Sequence, residues 1–187
     1  MEEQARALCE LLNAYGVDYL VLGSMAGRLQ GADLRTLDVD VAPRRDEANL
    51  ERLADALNVL RPRWRSDDFP DGFKIDGRLE PDHFLRAPMA VGLLTGLGRL
   101  DVVFHVDGFE GVAYDALAPR AVRIVVGDVE ILVSAVEDVI TSKRAAGREK
   151  DRAHLPALER LAEQLALRPP SVDPPTTTKG VEPELGP

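Results

Sequence analysis

The stretch Val21–Val41, VLGSMAGRLQGADLRTLDVDV, decides how this chain is read. Its end, Leu37–Ala42, alternates with the period of a β-strand, yet it sets Asp38 and Asp40 into an otherwise apolar run. A carboxylate taken out of water is costly unless something pairs with it. Residues two apart share a face, so Asp38 and Asp40 stand together, while Leu37, Val39 and Val41 are expected to supply the burial. Two adjacent carboxylates repel and push one pKa upward unless water or a cation compensates. An edge strand would leave both simply solvated. A hard divalent ion such as Mg²⁺ is the other solution, since it takes one or two carboxylates and completes its shell with phosphate and water.

Gly23 and Ser24 sit just upstream, after the apolar run Val17–Leu22 and before a short helical stretch, Ser24–Leu29. Backbone N–H groups at such a junction suit a phosphate. Glycine permits close approach and Ser24 adds a hydroxyl. Asp101, at the head of LDVVFHV, either caps a turn or brings a third carboxylate from a neighbouring strand.

Helical spacing predicts helices over Gln4–Tyr15, closed by Gly16, and over Asp46–Leu60 with Asp46 as N-cap. Strand-like runs follow at His83–Arg86, Val91–Thr95, Leu100–Val106, Ala121–Val126 and Val129–Val133, the last two joined by a Gly127-Asp128 turn. Ser134–Glu137 reads as a capping box opening a helix to Ala146, and a last helix is expected over Lys150–Leu167. Thr95–Asp101 carries two glycines but no third and no following helix, so it reads as a turn between strands. Trp64 in RPRWR either stacks on a nucleic-acid base or folds onto the core. The whole is an α/β (α+β) pattern: a mixed central sheet flanked by helices, with helices at the C-terminal end. Residues 1–168 form the expected domain. Residues 169–187 are proline-rich with little to bury, and disorder is expected there.

The chain has 187 residues, 45% hydrophobic, enough for a real core, and one cysteine, Cys9, which excludes an internal disulfide. No apolar run reaches the roughly 18 residues of a membrane span, and the acidic N-terminus is unlike a signal peptide. A cytoplasmic location without membrane contact is expected. The net charge of −9 argues against indiscriminate nucleic-acid binding. Even so, Lys143, Arg144, Arg148, Lys150 and Arg152 crowd into one locally basic segment. His83, His105 and His154 are too scattered for a zinc site, and a Ser-His-Asp hydrolase would need a nucleophile elbow that is not present.

Strand, Gly-Ser, short helix, D-h-D (h an apolar residue) and a later strand with Asp resemble the polymerase β-type nucleotidyltransferase superfamily. Within it, Arg35-Thr36-Leu37-Asp38-Val39-Asp40 after Gly31, and SKRAAGREKD from Ser142 to Asp151, resemble two blocks of AbiEii/MenT-like toxin nucleotidyltransferases. The resemblance covers about residues 17–167. It implies a polymerase β-like fold and a Mg²⁺-dependent transfer of a nucleoside monophosphate from an NTP, often a pyrimidine one, to the 3′ end of tRNA. Asp38, Asp40 and Asp101 would hold two Mg²⁺ ions, one activating the attacking hydroxyl and one neutralising pyrophosphate. Gly23, Ser24, Arg35, Lys143 and Arg148 would bind the nucleotide, Lys143 as a point charge on the triphosphate, and Asp151 would orient a basic partner or the nucleotide. A cognate antitoxin is implied as partner, in some members a kinase. Thr36, then Ser24, is the hydroxyl chosen for phosphorylation, which would add about −1.5 to −2 charges beside the carboxylates. Two other classes remain open: a small-molecule, antibiotic-modifying nucleotidyltransferase, and a non-catalytic nucleotide-binding antitoxin member.

Overall fold

In the computed structural model, which describes residues 2–167, the aspartate-bearing strand is not an edge. The described residues form one mixed sheet of eight strands. These are β1 (Tyr19–Leu22), β2 (Asp38–Pro43), β3 (Arg63–Trp64), β4 (Phe73–Lys74), β5 (Ala90–Thr95), β6 (Gly98–Val103), β7 (Val122–Val126) and β8 (Val129–Val133). They lie in the order β4-β3-β5-β6-β2-β1-β8-β7. β2 pairs antiparallel with β1 and parallel with β6, so solvation at a free edge cannot be what tolerates Asp38 and Asp40.

Seven helices accompany the sheet: α1 (Glu2–Ala14), α2 (Gly23–Leu29), α3 (Glu47–Val59), α4 (Pro81–Leu85), α5 (Ala113–Leu117), α6 (Val136–Ala146) and α7 (Glu149–Ala166). The period-two alternation divides the burial. Val21, Val39, Val41, Leu100 and Val102 join the main core, to which α1, α2, α3, α6 and α7 contribute. Leu20, Leu22 and Ala42 point the other way into a smaller core closed by Ala113 and Leu117 of α5. Asp38 and Asp40 continue that second row beyond Ala42. Leu37 does not share in the burial expected of it; it lies just before the strand and is 71% exposed.

Local chemistry fixes several boundaries. Gly16 ends α1 with φ at +66°, and Asp46 accepts the Asn49 N–H at 3.0 Å to cap α3. Asn49, fully buried, also clamps Asp18 and Arg44, tying α3 to both strands at its base. The β7–β8 hairpin turns at Gly127-Asp128 as expected. Between β5 and β6, the Thr95 hydroxyl donates to the Gly98 carbonyl and accepts the Leu97 N–H, making the expected turn.

Three further expectations are corrected. His83–Arg86 is not a strand but falls largely within α4, because Pro81 at its first turn and reciprocal capping between Glu80 and His83 favour a helix. The Ser134–Glu137 capping box does not form: α6 begins after Ala135 with no side-chain cap. Ser134 instead follows β8 directly, its N–H donating to the Val21 carbonyl and its own carbonyl accepting from the Gln30 side chain. The run from Leu100 stops pairing at Val103 rather than Val106. Trp64 takes the structural option, packing on the core with its ring centroid 5.3 Å from that of His83. The tail expected to be disordered lies outside the described residues. Among those described, no helix is long and apolar enough to cross a membrane.

Candidate active site

One cavity of about 920 Å³ gathers every site residue anticipated from the sequence: Gly23, Ser24, Arg35, Thr36, Asp38, Asp40, Asp101, Lys143, Arg148 and Asp151. Its floor is the uncovered half of the sheet's second face, its walls the start of α2 and the α6–α7 corner.

Register explains the carboxylates. Asp40 of β2 stands opposite Asp101 of β6 and opposite Leu22 of β1. Asp38 lies two residues along on the same face. β1 ends at Leu22 and the chain turns at once through Gly23, whose φ is +62°. A Cβ at this position would stand 2.3 Å from Asp40 Oδ2, so the turn passes directly against the carboxylate.

The electrostatics follow from this crowding. Burial, then the neighbouring Asp38 and Asp101 charges, raise Asp40 from 3.8 to about 7, and Lys143 and Lys150 offset only part of this. Burial also raises Asp101, against the opposing pull of Arg65. Arg65 Nη1 lies 2.7 Å from Asp101 Oδ1, an ion pair whose N–H does not point squarely enough to make a hydrogen bond. Asp38 receives the Thr36 hydroxyl at 3.0 Å.

The opposite wall is cationic but internally paired. Asp151, 1% exposed, accepts from Lys143 at 3.0 Å and from Arg148 at 2.5 Å. Burial alone would raise its pKa; these two hydrogen bonds outweigh that and hold it below the usual carboxylate range. Asp151 takes one of the three donors of the Lys143 ammonium, so Lys143 is not the free point charge the sequence suggests. Arg144 turns away from the cavity to Glu159 at 2.7 Å, and the basic block is correspondingly less bare.

His154 was passed over by sequence reasoning. It projects from α7 into the cavity, and its Nδ1 shares a 3.0 Å hydrogen bond with Ser24 Oγ. Burial, then Lys143, lower its pKa. Ser24 itself is 9% exposed, whereas Thr36 is half-buried.

Among the described residues no three His, Cys, Asp or Glu side chains stand in a metal-holding group. The donor set nonetheless suits a hard divalent ion at Asp38 and Asp40: both offer carboxylate oxygens on one face, and the charge at Asp40 is under-compensated by the protein. Asp101 is taken up by Arg65.

No family model and no curated protein matches this chain. Solved structures do. The lincosamide antibiotic adenylyltransferase LnuA, lincomycin-bound, is 13% identical with a TM-score of 0.59, over 86% of this chain and 98% of that one. ANT(2″)-Ia in complex with adenylyl-2″-tobramycin is 11% identical with a TM-score of 0.56, over 88% and 90%. A Thermotoga maritima protein described as a nucleotidyltransferase is 17% identical with a TM-score of 0.51, over 88% and 91%. The fold is therefore the polymerase β-like nucleotidyltransferase fold, with its mixed sheet and flanking helices.

Proposed function

We propose that this protein transfers a nucleoside monophosphate from an NTP to the 3′ end of tRNA, as a toxin-type nucleotidyltransferase. The observation that carries the reading is convergence. Arg35, Thr36, Asp38 and Asp40 from the first block and Lys143, Arg148 and Asp151 from the second, far apart in sequence, line a single cavity with Gly23 and Ser24.

In this reading the acceptor hydroxyl releases its proton to solvent, its oxygen bonds to the α-phosphorus, the bond from that phosphorus to the α–β bridging oxygen breaks, and pyrophosphate leaves. The backbone at Gly23 and the Ser24 hydroxyl receive the β- and γ-phosphates, with His154 fixing the direction of that hydroxyl. Arg35, Arg148 and the remaining Lys143 donors draw the triphosphate against the α6–α7 wall. Asp151 positions Lys143 and Arg148. Mg²⁺ bound by Asp38 and Asp40 would polarise phosphoryl oxygen and screen the charge between nucleotide and carboxylates. An antitoxin acting as a kinase would find Thr36 at the cavity wall; a phosphate there would sit against Asp38 and repel the nucleotide. Ser24 is the poorer target because it is buried and already bonded.

A second acceptor, a hydroxyl on a small molecule such as an antibiotic, is favoured by a specific observation. Asp151 and Glu159 absorb Lys143, Arg148 and Arg144, leaving less positive surface for RNA. The two antibiotic-modifying enzymes of like fold support it as well.

Incubation with Mg²⁺, each labelled NTP in turn, and total tRNA separates the readings. Label in tRNA is expected. Label only on an added aminoglycoside or lincosamide selects the second acceptor. Nucleotide binding without transfer to either overturns the enzymatic reading in favour of a non-catalytic member.

A further inference from the structure

Asp101 is reached by Arg65 along a lane built into the sheet. β3, β5 and β6 are consecutive neighbours, and Trp64 pairs with Leu93 while Gly92 pairs with Asp101. Arg65, immediately after β3, donates its N–H to the Gly92 carbonyl at 2.9 Å. Its side chain must then pass over β5 to meet Asp101 on β6. It does so directly above Gly92, where a Cβ would stand 3.1 Å from Arg65 Nε and 3.2 Å from Cζ. A side chain at position 92 would obstruct the lane. Arg65 and Asp101 are 28% and 15% exposed in their side chains, so the pair is shielded enough for its charge to matter.

We propose that Arg65 is an internal cation that takes up the third carboxylate of the site, so that the centre binds one divalent ion, at Asp38 and Asp40, and not two. This rests on the nucleotidyltransferase reading and narrows it. A guanidinium is not deprotonated in the working pH range, so its charge beside Asp101 persists at every pH at which the site would bind an ion. Gly92 is explained by the same device, and Arg65 is a positioning residue: it acts through Asp101.

The test is ion stoichiometry, independent of turnover. Mn²⁺ is titrated into the 187-residue chain with a non-hydrolysable NTP analogue, and bound ion is counted by electron paramagnetic resonance and calorimetry. One Mn²⁺ per chain is expected, lost in Asp38→Asn. Arg65→Gln should release Asp101 and admit a second, weaker Mn²⁺, which Arg65→Gln/Asp101→Asn should lose again. Gly92→Ala, which crowds the guanidinium without removing it, should move part of the way toward the Arg65→Gln result. Arg65→Lys, which keeps the charge, should keep one ion. If Arg65→Gln does not fold, the glycine and lysine variants still decide. Two ions in the unaltered protein, or no second ion in Arg65→Gln and Gly92→Ala, overturns the role of Arg65 while leaving the nucleotidyltransferase reading standing. No Mn²⁺ in any variant, with no transfer, overturns both.

Discussion

Gly23 lies against Asp40 so closely that the carboxylate occupies the space a side chain at position 23 would need. Backbone conformation and contact act together here. A φ of +62° disfavours any residue with a Cβ, at about 1–2 kcal/mol, and the 2.3 Å approach to Asp40 Oδ2 cannot be kept. Gly23→Ala should therefore lower the melting temperature by several degrees. It should also reduce nucleotidyl transfer far more than the stability loss explains, because Asp40 must swing away. Unchanged transfer in a folded Gly23→Ala protein would show that the position of Asp40 is not critical.

Asp40 should make the metal-free protein less stable as pH rises. Its folded-state pKa, about 7, lies above its ordinary value of 3.8. Between those values the native state holds a proton that the unfolded chain has released, so stability falls with rising pH across that window and then levels off. Each pKa unit corresponds to about 1.4 kcal/mol, so full ionisation costs on the order of a few kcal/mol. Asp40→Asn should melt higher than the unaltered protein at pH 8 without divalent ions and lose its advantage near pH 4. Added Mg²⁺ should stabilise the unaltered protein and leave Asp40→Asn nearly unmoved. Thermal melts over pH, with and without Mg²⁺, check both expectations.

Much of this site was legible because its signals are local. Period-two alternation placed Asp38 and Asp40 on one face of β2, and a glycine-serine pair after an apolar run marked the turn into α2. The central place of β2 was not legible, since strand order depends on pairings between distant segments. Two-residue strands such as Arg63–Trp64 and five-residue helices such as Pro81–Leu85 are too short to show periodicity. The ion pair of Arg65 with Asp101 needs two strand pairings to be known before it can be drawn. His154 escaped notice because its partner, Ser24, is 130 residues away; only the docking of α7 on α2 brings them together. That docking depends on Gly27, where a Cβ would meet Leu158 at 2.5 Å.

The Lys143–Asp151 pair predicts a strong asymmetry between single and double substitution. Both side chains are buried, at 7% and 1% exposure. Removing Asp151 strands the buried Lys143 ammonium, at a typical cost of about 3–5 kcal/mol, whereas replacing both with apolar groups is often neutral. Asp151→Leu should be severely destabilised, and Lys143→Met/Asp151→Leu should recover most of the lost stability in denaturant unfolding. If Lys143 also draws the triphosphate, the double variant should fold yet bind nucleotide weakly. Recovery of nucleotide affinity together with stability would reduce the pair to a structural element.

His154 should give the opposite pH signature to Asp40. Burial, with Lys143 adding to it, depresses its pKa below the ordinary 6.5. As pH falls through 6.5 the unfolded chain takes up a proton that the native imidazole refuses, so this residue costs stability on the acid side and nothing above it. Once the native imidazole also protonates, both ring nitrogens carry hydrogen and neither can accept a hydrogen bond, so its hold on Ser24 Oγ can only be as donor. Comparing His154→Gln with the unaltered protein isolates this effect from Asp40, which is common to both. The variant should lose less stability than the unaltered protein between pH 7 and pH 5, and its nucleotide affinity at pH 7.5 should fall several-fold through the loosened Ser24 hydroxyl. Parallel melting curves over that interval would show that the imidazole protonates freely in the fold and that its bond to Ser24 does not depend on the neutral ring.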